Sequence, residues 1–164
     1  MSSYLEYRKT YCECCDSRDF CIPRKIPEDN LKSFPYFIDW DAVKTSKRMR
    51  WKSCDAIYDQ NANTIFFIEF KNFTWFIENS REDIRRELVD KFSKSYELYL
   101  RDDNTIETFE CICAFNENKN EYIDKKLPSH EYNRRQVILS MYEFLLPLNI
   151  KLRLCNDAFY HTVY

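Results

Sequence analysis

TIFFIEFKN, residues 64–72, is an almost unbroken apolar run that carries a glutamate and a lysine near its end. Successive side chains of a strand point to opposite faces, which assigns one face to Ile65, Phe67, Glu69 and Lys71 and the other to Phe66, Ile68 and Phe70. Both faces are apolar up to the last positions, as is typical of a central strand covered on both sides. Two charges buried there without partners would cost several kcal/mol, so the pair indicates either a salt bridge at a solvated strand end or a function.

The segments around this strand predict alternating strands and helices. SCDAIY (53–58) and the strand flank a polar connection, DQNAN (59–63), in the order expected of a hairpin. Apolar spacing then predicts a helix from Ser80 to Leu100, a strand at 108–115, a helix at 131–146 and a final strand at 150–155. This order predicts an α/β fold with a mixed central β-sheet that is flanked by helices on both faces.

Length and composition fit one domain spanning residues 1–164. The chain is 45% hydrophobic and 17% aromatic, and its first 24 residues form a Cys-rich N-terminal segment (1–24). No apolar run approaches the length of a membrane span and the first residues lack a signal-peptide core, so we expect a cytoplasmic protein without a membrane partner. Glycine is absent, which excludes Gly-rich phosphate loops of the P-loop or Rossmann kind.

The N-terminal segment contains a candidate zinc site. Cys12 and Cys15 form a CxxC pair, and Cys21 follows six residues later. A structural Zn²⁺ site needs four ligands, and the chain offers no second paired set. The alternative is a reduced loop whose thiols bind no metal.

Asp55 is the third charged residue that the hairpin brings toward Glu69 and Lys71. If residues 59–63 form the loop, Tyr58 pairs with Thr64, and Asp55 lies on the same face as Glu69. A loop one residue longer or shorter would send Asp55 to the opposite face. Carboxylates are the ligands that Mg²⁺ prefers, and a neighbouring lysine can orient or deprotonate a water molecule.

The helix after the strand carries a further candidate. Lys91 and Ser95 interrupt the apolar stripe that should pack on the sheet. Lys91 either extends from the edge of this stripe to solvent or reaches the end of the strand that carries Lys71.

A basic segment precedes the strand that carries Asp55. Residues 43–52 contain no acid, and their candidate nucleic-acid contacts are Lys47, Arg48, Arg50, Trp51 and Lys52. The cations can contact phosphates and Trp51 can stack on a base. The alternative is an ordinary solvated loop.

Asp55 followed by Glu69-Phe70-Lys71 resembles the D…ExK signature of the PD-(D/E)xK nuclease superfamily. The resemblance covers residues 25–155 and implies a restriction-endonuclease-like αβββαβ core. It implies Mg²⁺- or Mn²⁺-dependent hydrolysis, with the ion held by Asp55, Glu69 and the Phe70 carbonyl. Lys71 would position the attacking water, and Lys91 would add a polar group from the following helix.

Two departures from the family pattern stand out. Cys54 replaces the proline of the signature, which has no chemical role. The acidic residue of the family's first helix is represented by Glu28 or Glu6, and the sequence does not decide between them.

The function that we expect is a metal-dependent nuclease with DNA favoured over RNA, acting alone, as a homodimer or in a larger complex. One alternative is a catalytically silent binding or regulatory module on a nuclease fold. Another is a small regulatory protein that binds zinc through the N-terminal cysteines.

Overall fold

The computed structural model describes residues 2–9, 37–59, 64–102, 105, 108–116 and 130–154. The predicted zinc ligands Cys12, Cys15 and Cys21 lie outside these residues, as does Glu28. No helix among the described residues is long and apolar enough to cross a membrane.

The described chain is α/β, with four α-helices and one mixed sheet of six strands. In chain order the elements are β1 (Arg8–Lys9), β2 (Phe37–Asp39), α1 (Trp40–Ser46), β3 (Ala56–Asp59), β4 (Thr64–Asn72), α2 (Phe73–Glu78), α3 (Arg81–Arg101), β5 (Thr108–Asn116), α4 (His130–Leu145) and β6 (Ile150–Leu154). Short 3₁₀ helices cover Ser2–Tyr7 and Leu146–Leu148. From the hairpin onward the order matches the order predicted from the sequence, except that the short helix α2 was not predicted.

The sheet follows the chain order, β1-β2-β3-β4-β5-β6. Pairing is antiparallel from β1 to β4 and parallel from β4 to β6. Strand β4 is therefore the boundary between the two kinds of pairing, and its carboxyl end carries Glu69 and Lys71.

The hairpin register differs from the predicted one by two residues. Tyr58 pairs with Phe66 rather than Thr64, because β3 continues through Asp59, which we had placed in the connection. An even shift leaves every side chain on its predicted face. Asp55 therefore keeps its predicted face, and it precedes β3 instead of lying inside it.

Helix α3 forms where the sequence predicts it. The Ser80 hydroxyl caps it by accepting the Asp83 N–H at 3.1 Å, and acidic residues occupy the first turn. Its apolar stripe, formed by Ile84, Leu88, Phe92 and Tyr99, is buried against the sheet. Burial of each such side chain contributes roughly 1.5–3 kcal/mol, which fixes the helix on β4.

The main core lies on the face of β4 that carries Phe67. That side chain is fully buried and its ring lies 6.2–6.3 Å from the rings of Tyr96 and Tyr99. Met141 and Leu145 of α4 join the same core. Ile68 and Ala114 on the other face are also buried but are not part of this cluster. Among the described residues, α3 and α4 both pack on the Phe67 face of the sheet, whereas the sequence predicts helices on both faces.

Candidate active site at the end of strand β4

Glu69 is the centre of a buried charge cluster. It is 1% exposed, and its Oε1 atom lies 2.5 Å from Lys91 Nζ and 3.0 Å from Lys71 Nζ. Lys71 reaches this atom from the same strand face two residues on, whereas Lys91 comes from the middle of α3. The lysine that interrupts the apolar stripe of α3 thus points to the strand end.

Lys71 is held from three directions. Besides Glu69, its Nζ donates to Glu87 Oε1 at 2.7 Å and lies 4.3 Å from the ring centre of Trp75. Burial alone would lower the pKa of Lys71, but the Glu69 and Glu87 carboxylates outweigh burial and raise it. The ammonium group therefore keeps its proton at neutral pH, which favours orienting a water molecule over deprotonating one.

Asp55 is fixed beside Glu69 by backbone contacts. Its Oδ2 accepts the Phe70 N–H at 2.8 Å, and its own N–H donates to the Ile68 carbonyl at 3.0 Å. Because Ala56 pairs with Ile68, Asp55 is next in register opposite Glu69. Burial and the Glu69 carboxylate together raise the pKa of Asp55 to about 7.

The donor set at this end of the sheet fits Mg²⁺. Glu69 Oε2 is buried and has no hydrogen-bond partner among the described residues. The N–H and C=O of one strand residue point to the same side, so the Phe70 carbonyl lies on the side of the Asp55 carboxylate. Mg²⁺ is usually bound by one or two carboxylates and completed by water and substrate phosphates.

This is not a dedicated protein cage for a metal. Within the described ranges, no group of three or more His, Cys, Asp and Glu side chains is arranged to hold an ion. Asp55, Glu69 and the Phe70 carbonyl can supply part of a coordination shell, with the remainder coming from water or phosphate. Lys91 pairs with Glu69 Oε1, so an ion would bind Glu69 through its other oxygen, Oε2.

The second polar position on α3 supports the segment that leads to Asp55. Ser95 is fully buried, and its hydroxyl accepts the Cys54 N–H at 2.8 Å. Cys54 is also fully buried, and burial raises the pKa of its thiol well above the ordinary value. Cys54 is thus a packed, protonated thiol that orients the backbone before Asp55.

The predicted basic segment lies along α3. Lys47 pairs with Asp102 at the carboxyl end of the helix, and the Trp51 ring lies 4.8 Å from Arg101 and 5.4 Å from Lys94. At the other end, the charge of Lys52 acts on Glu87. Burial would raise the pKa of Glu87, but the Lys71 hydrogen bond and the surrounding lysines lower it overall. The segment therefore runs toward the charge cluster, with Arg48 and Arg50 exposed.

Four residues of this region were not predicted from the sequence: Trp75, Glu87, Lys94 and Arg101. Glu87 could have been found, because it lies one helical turn before Lys91 and so on the same face of α3. Trp75 follows Lys71 in a short helix, and no sequence periodicity points to it. In the sequence, Lys94 and Arg101 resemble ordinary solvated helix residues. Their role becomes visible only in the structure, where the Trp51 ring lies beside them.

Glu6, the other candidate for the family's first-helix acid, is exposed on the N-terminal 3₁₀ helix. That helix packs through Tyr4 against Trp40, with ring centres 5.3 Å apart. Glu6 makes no contact with the charge cluster among the interactions of the described residues.

Comparisons of the chain with protein-family models, with curated proteins and with solved structures found no match. The interpretation of the site therefore depends on the chemistry of its own residues.

Proposed function

We propose that the protein is a metal-dependent nuclease whose active site contains Asp55, Glu69, Lys71 and Lys91. The observation that carries the proposal is the buried Glu69 carboxylate, which has one oxygen against two ammonium groups and the other without a hydrogen-bond partner in the described chain. Structural ion pairs are stable only when their remaining lone pairs are satisfied. An orphaned carboxylate oxygen beside a second carboxylate is better suited to binding a cation, which can in turn bind a substrate phosphate.

In this proposal Asp55 and Glu69, with the Phe70 carbonyl, hold Mg²⁺ or Mn²⁺. Bound there, the ion would supply Lewis-acid stabilisation of charge on the phosphate. Hydrolysis adds a water oxygen to the scissile phosphorus and breaks one P–O ester bond, which leaves a phosphate monoester and a hydroxyl group.

The chain's own lysines have two roles. Lys71, held by Glu87 and Trp75, orients the attacking water through its ammonium group. Lys91 stabilises negative charge at the Glu69 end of the site. The basic segment from Lys47 to Lys52 contacts the nucleic-acid backbone, and DNA is the favoured substrate over RNA.

A cleavage panel tests the proposal. The wild-type protein should cut one or more of plasmid DNA, single-stranded DNA and RNA with Mg²⁺ or Mn²⁺, and none of them in EDTA. Glu69→Gln and Lys71→Ala should each cut at least about 100-fold more slowly, because general acid–base and metal-assisted steps contribute factors of this order. Lys151→Ala is the matched control, since Lys151 is an exposed lysine that pairs with Glu110 on β5. Wild-type rates in either site variant would refute the proposal.

A second candidate is a catalytically silent nucleic-acid-binding module. It is favoured by one observation, namely that two lysines already neutralise Glu69 without any metal. Calorimetry separates the two. The silent module binds oligonucleotide but neither Mg²⁺ nor Mn²⁺, whereas the nuclease binds both the ion and the substrate.

A further inference from the structure

Trp51 contacts cations rather than presenting a bare ring. Arg101 and Lys94 of α3 lie 4.8 Å and 5.4 Å from the centre of its indole ring. An indole face attracts guanidinium and ammonium groups through its quadrupole and holds them without neutralising their charge. Trp51 can therefore serve as a platform that positions two positive charges.

The two cations remain accessible to a ligand. The side chain of Lys94 is 38% exposed and that of Arg101 is 49% exposed. One carboxylate, Glu97, pairs with both, at 3.3 Å from Lys94 and 2.5 Å from Arg101. Two cations that share one exposed anion retain a net positive charge, and exposed pairs of this kind are weak.

This platform is continuous with the candidate active site. Lys52, the residue after Trp51, lies close enough to Glu87 for its charge to lower the pKa of that carboxyl, and Glu87 holds Lys71. Lys47 lies at the other end, beside Asp102 where α3 ends. Positive charge therefore extends along α3 from its carboxyl end to the strand end that carries Glu69.

We propose that Lys94 and Arg101, supported by the Trp51 ring, form with Lys52 a track for the phosphodiester backbone that leads into the active site. The inference rests on the proposed function and changes the expected role of Trp51 from stacking on a base to holding cations. The ligand is a nucleic-acid strand recognised by its phosphates, without regard to base identity.

Binding measured without catalysis tests the track. Fluorescence anisotropy in EDTA would follow a labelled 20-nucleotide single strand at several salt concentrations, for the wild type, the double variant Lys94→Ala/Arg101→Ala and the control Lys151→Ala. The double variant should bind more weakly. Its plot of log affinity against log salt concentration should be shallower by roughly 1 to 2 units, because fewer counterions are released when fewer phosphates are contacted. The control should match the wild type. Arg101 is exposed and Lys94 is partly exposed, so the variant should keep its fold, which circular dichroism checks.

A second strand separates phosphate binding from base stacking. A strand of equal length whose central bases are replaced by abasic sites should bind within about twofold of the intact strand, since the phosphates are unchanged. Stacking on Trp51 predicts a clear loss of affinity, on the order of 5- to 150-fold per base. That loss would overturn the inference, as would a wild-type salt slope in the double variant or no binding by the wild type in EDTA.

The outcome is independent of the cleavage panel. If the wild-type protein cleaves nucleic acid but the double variant binds the strand as well as the wild type does, the substrate reaches the active site by another surface. A track that binds as expected in a protein that never cleaves would refute the nuclease proposal and leave the binding surface in place.

Discussion

Glu69 is the residue on which the proposed chemistry depends. A fully buried carboxylate would be strongly destabilising without partners, and the two lysines at 2.5 Å and 3.0 Å supply them through a single oxygen. The other oxygen has no hydrogen-bond partner among the described residues, and in the proposed function it binds the metal ion.

Asp55 predicts a pH dependence of stability in the metal-free protein. Its pKa is about 7 in the fold against an ordinary 3.8, so between these values the folded state holds a proton that the unfolded chain releases. The free energy of unfolding contributed by this group therefore falls as pH rises from about 4 to 7 and stays low above that. The cause is that desolvation at this partly buried position, together with the neighbouring Glu69 carboxylate, opposes charging of Asp55.

Chemical denaturation in EDTA checks this prediction. Asp55→Asn keeps an oxygen that can accept the Phe70 N–H and removes the charge. It should be more stable than the wild type at pH 8 by roughly 2–4 kcal/mol, at about 1.4 kcal/mol per pKa unit, and gain little at pH 4. Equal differences at both pH values would contradict the assignment.

The four charged residues of the site could be predicted because strand and helix periods decide which faces they share. Asp55 was placed correctly although the register was wrong by two residues, since an even shift preserves the face. The contacts that hold Lys71 could not be predicted in the same way. Trp75 and Glu87 meet it only after a turn whose geometry the sequence pattern does not specify.

At the level of elements, α3 is the part of the fold that assembles the site. One of its faces carries Glu87 and Lys91 a single turn apart, and each contacts a different charged residue of β4. The adjacent face is the apolar stripe that packs on Phe67. The same burial that stabilises the helix thus fixes the positions of its charged residues.

Glu87 is therefore predicted to be a positioning residue for Lys71. Glu87→Gln should lower kcat by about 10-fold and leave KM near the wild-type value, because misplacing a catalytic group by about 1 Å affects the chemical step more than binding. Asp90→Asn, at an exposed position on the same helix, is the matched control. Steady-state kinetics measures both.

Two results would count against this role for Glu87. Kinetics equal to those of the Asp90→Asn variant would show that Lys71 needs no such support. A fall in kcat accompanied by a large drop in the melting temperature would assign Glu87 to stability instead.

The order of the elements could be predicted from the sequence, but the face of the sheet that each helix covers could not. Apolar spacing and the Ser80 cap locate α3 to within a residue or so, because both are local signals. The core cluster, in contrast, joins α3 and α4 on the Phe67 face. Which face a helix covers depends on long-range packing that no local pattern encodes.

For the whole molecule, the distribution of charge matters more than its total. The chain has a net charge of −2, yet the segment from Lys47 to Lys52 and the outer side of α3 place cations along one path to Glu69. If the proposed track binds nucleic acid, this local basic strip on an acidic protein would make the binding dependent on salt and confine the ligand to one surface.

Anomalous diffraction from crystals soaked in Mn²⁺ tests the central claim most directly. If Asp55 and Glu69 hold a metal ion, one peak should lie between their carboxylates, about 2.0–2.2 Å from their oxygens, with Lys91 still against Glu69 Oε1. Crystals of Glu69→Gln should show no such peak. A wild-type crystal without a peak at this position would contradict the claim that this is a metal-dependent active site.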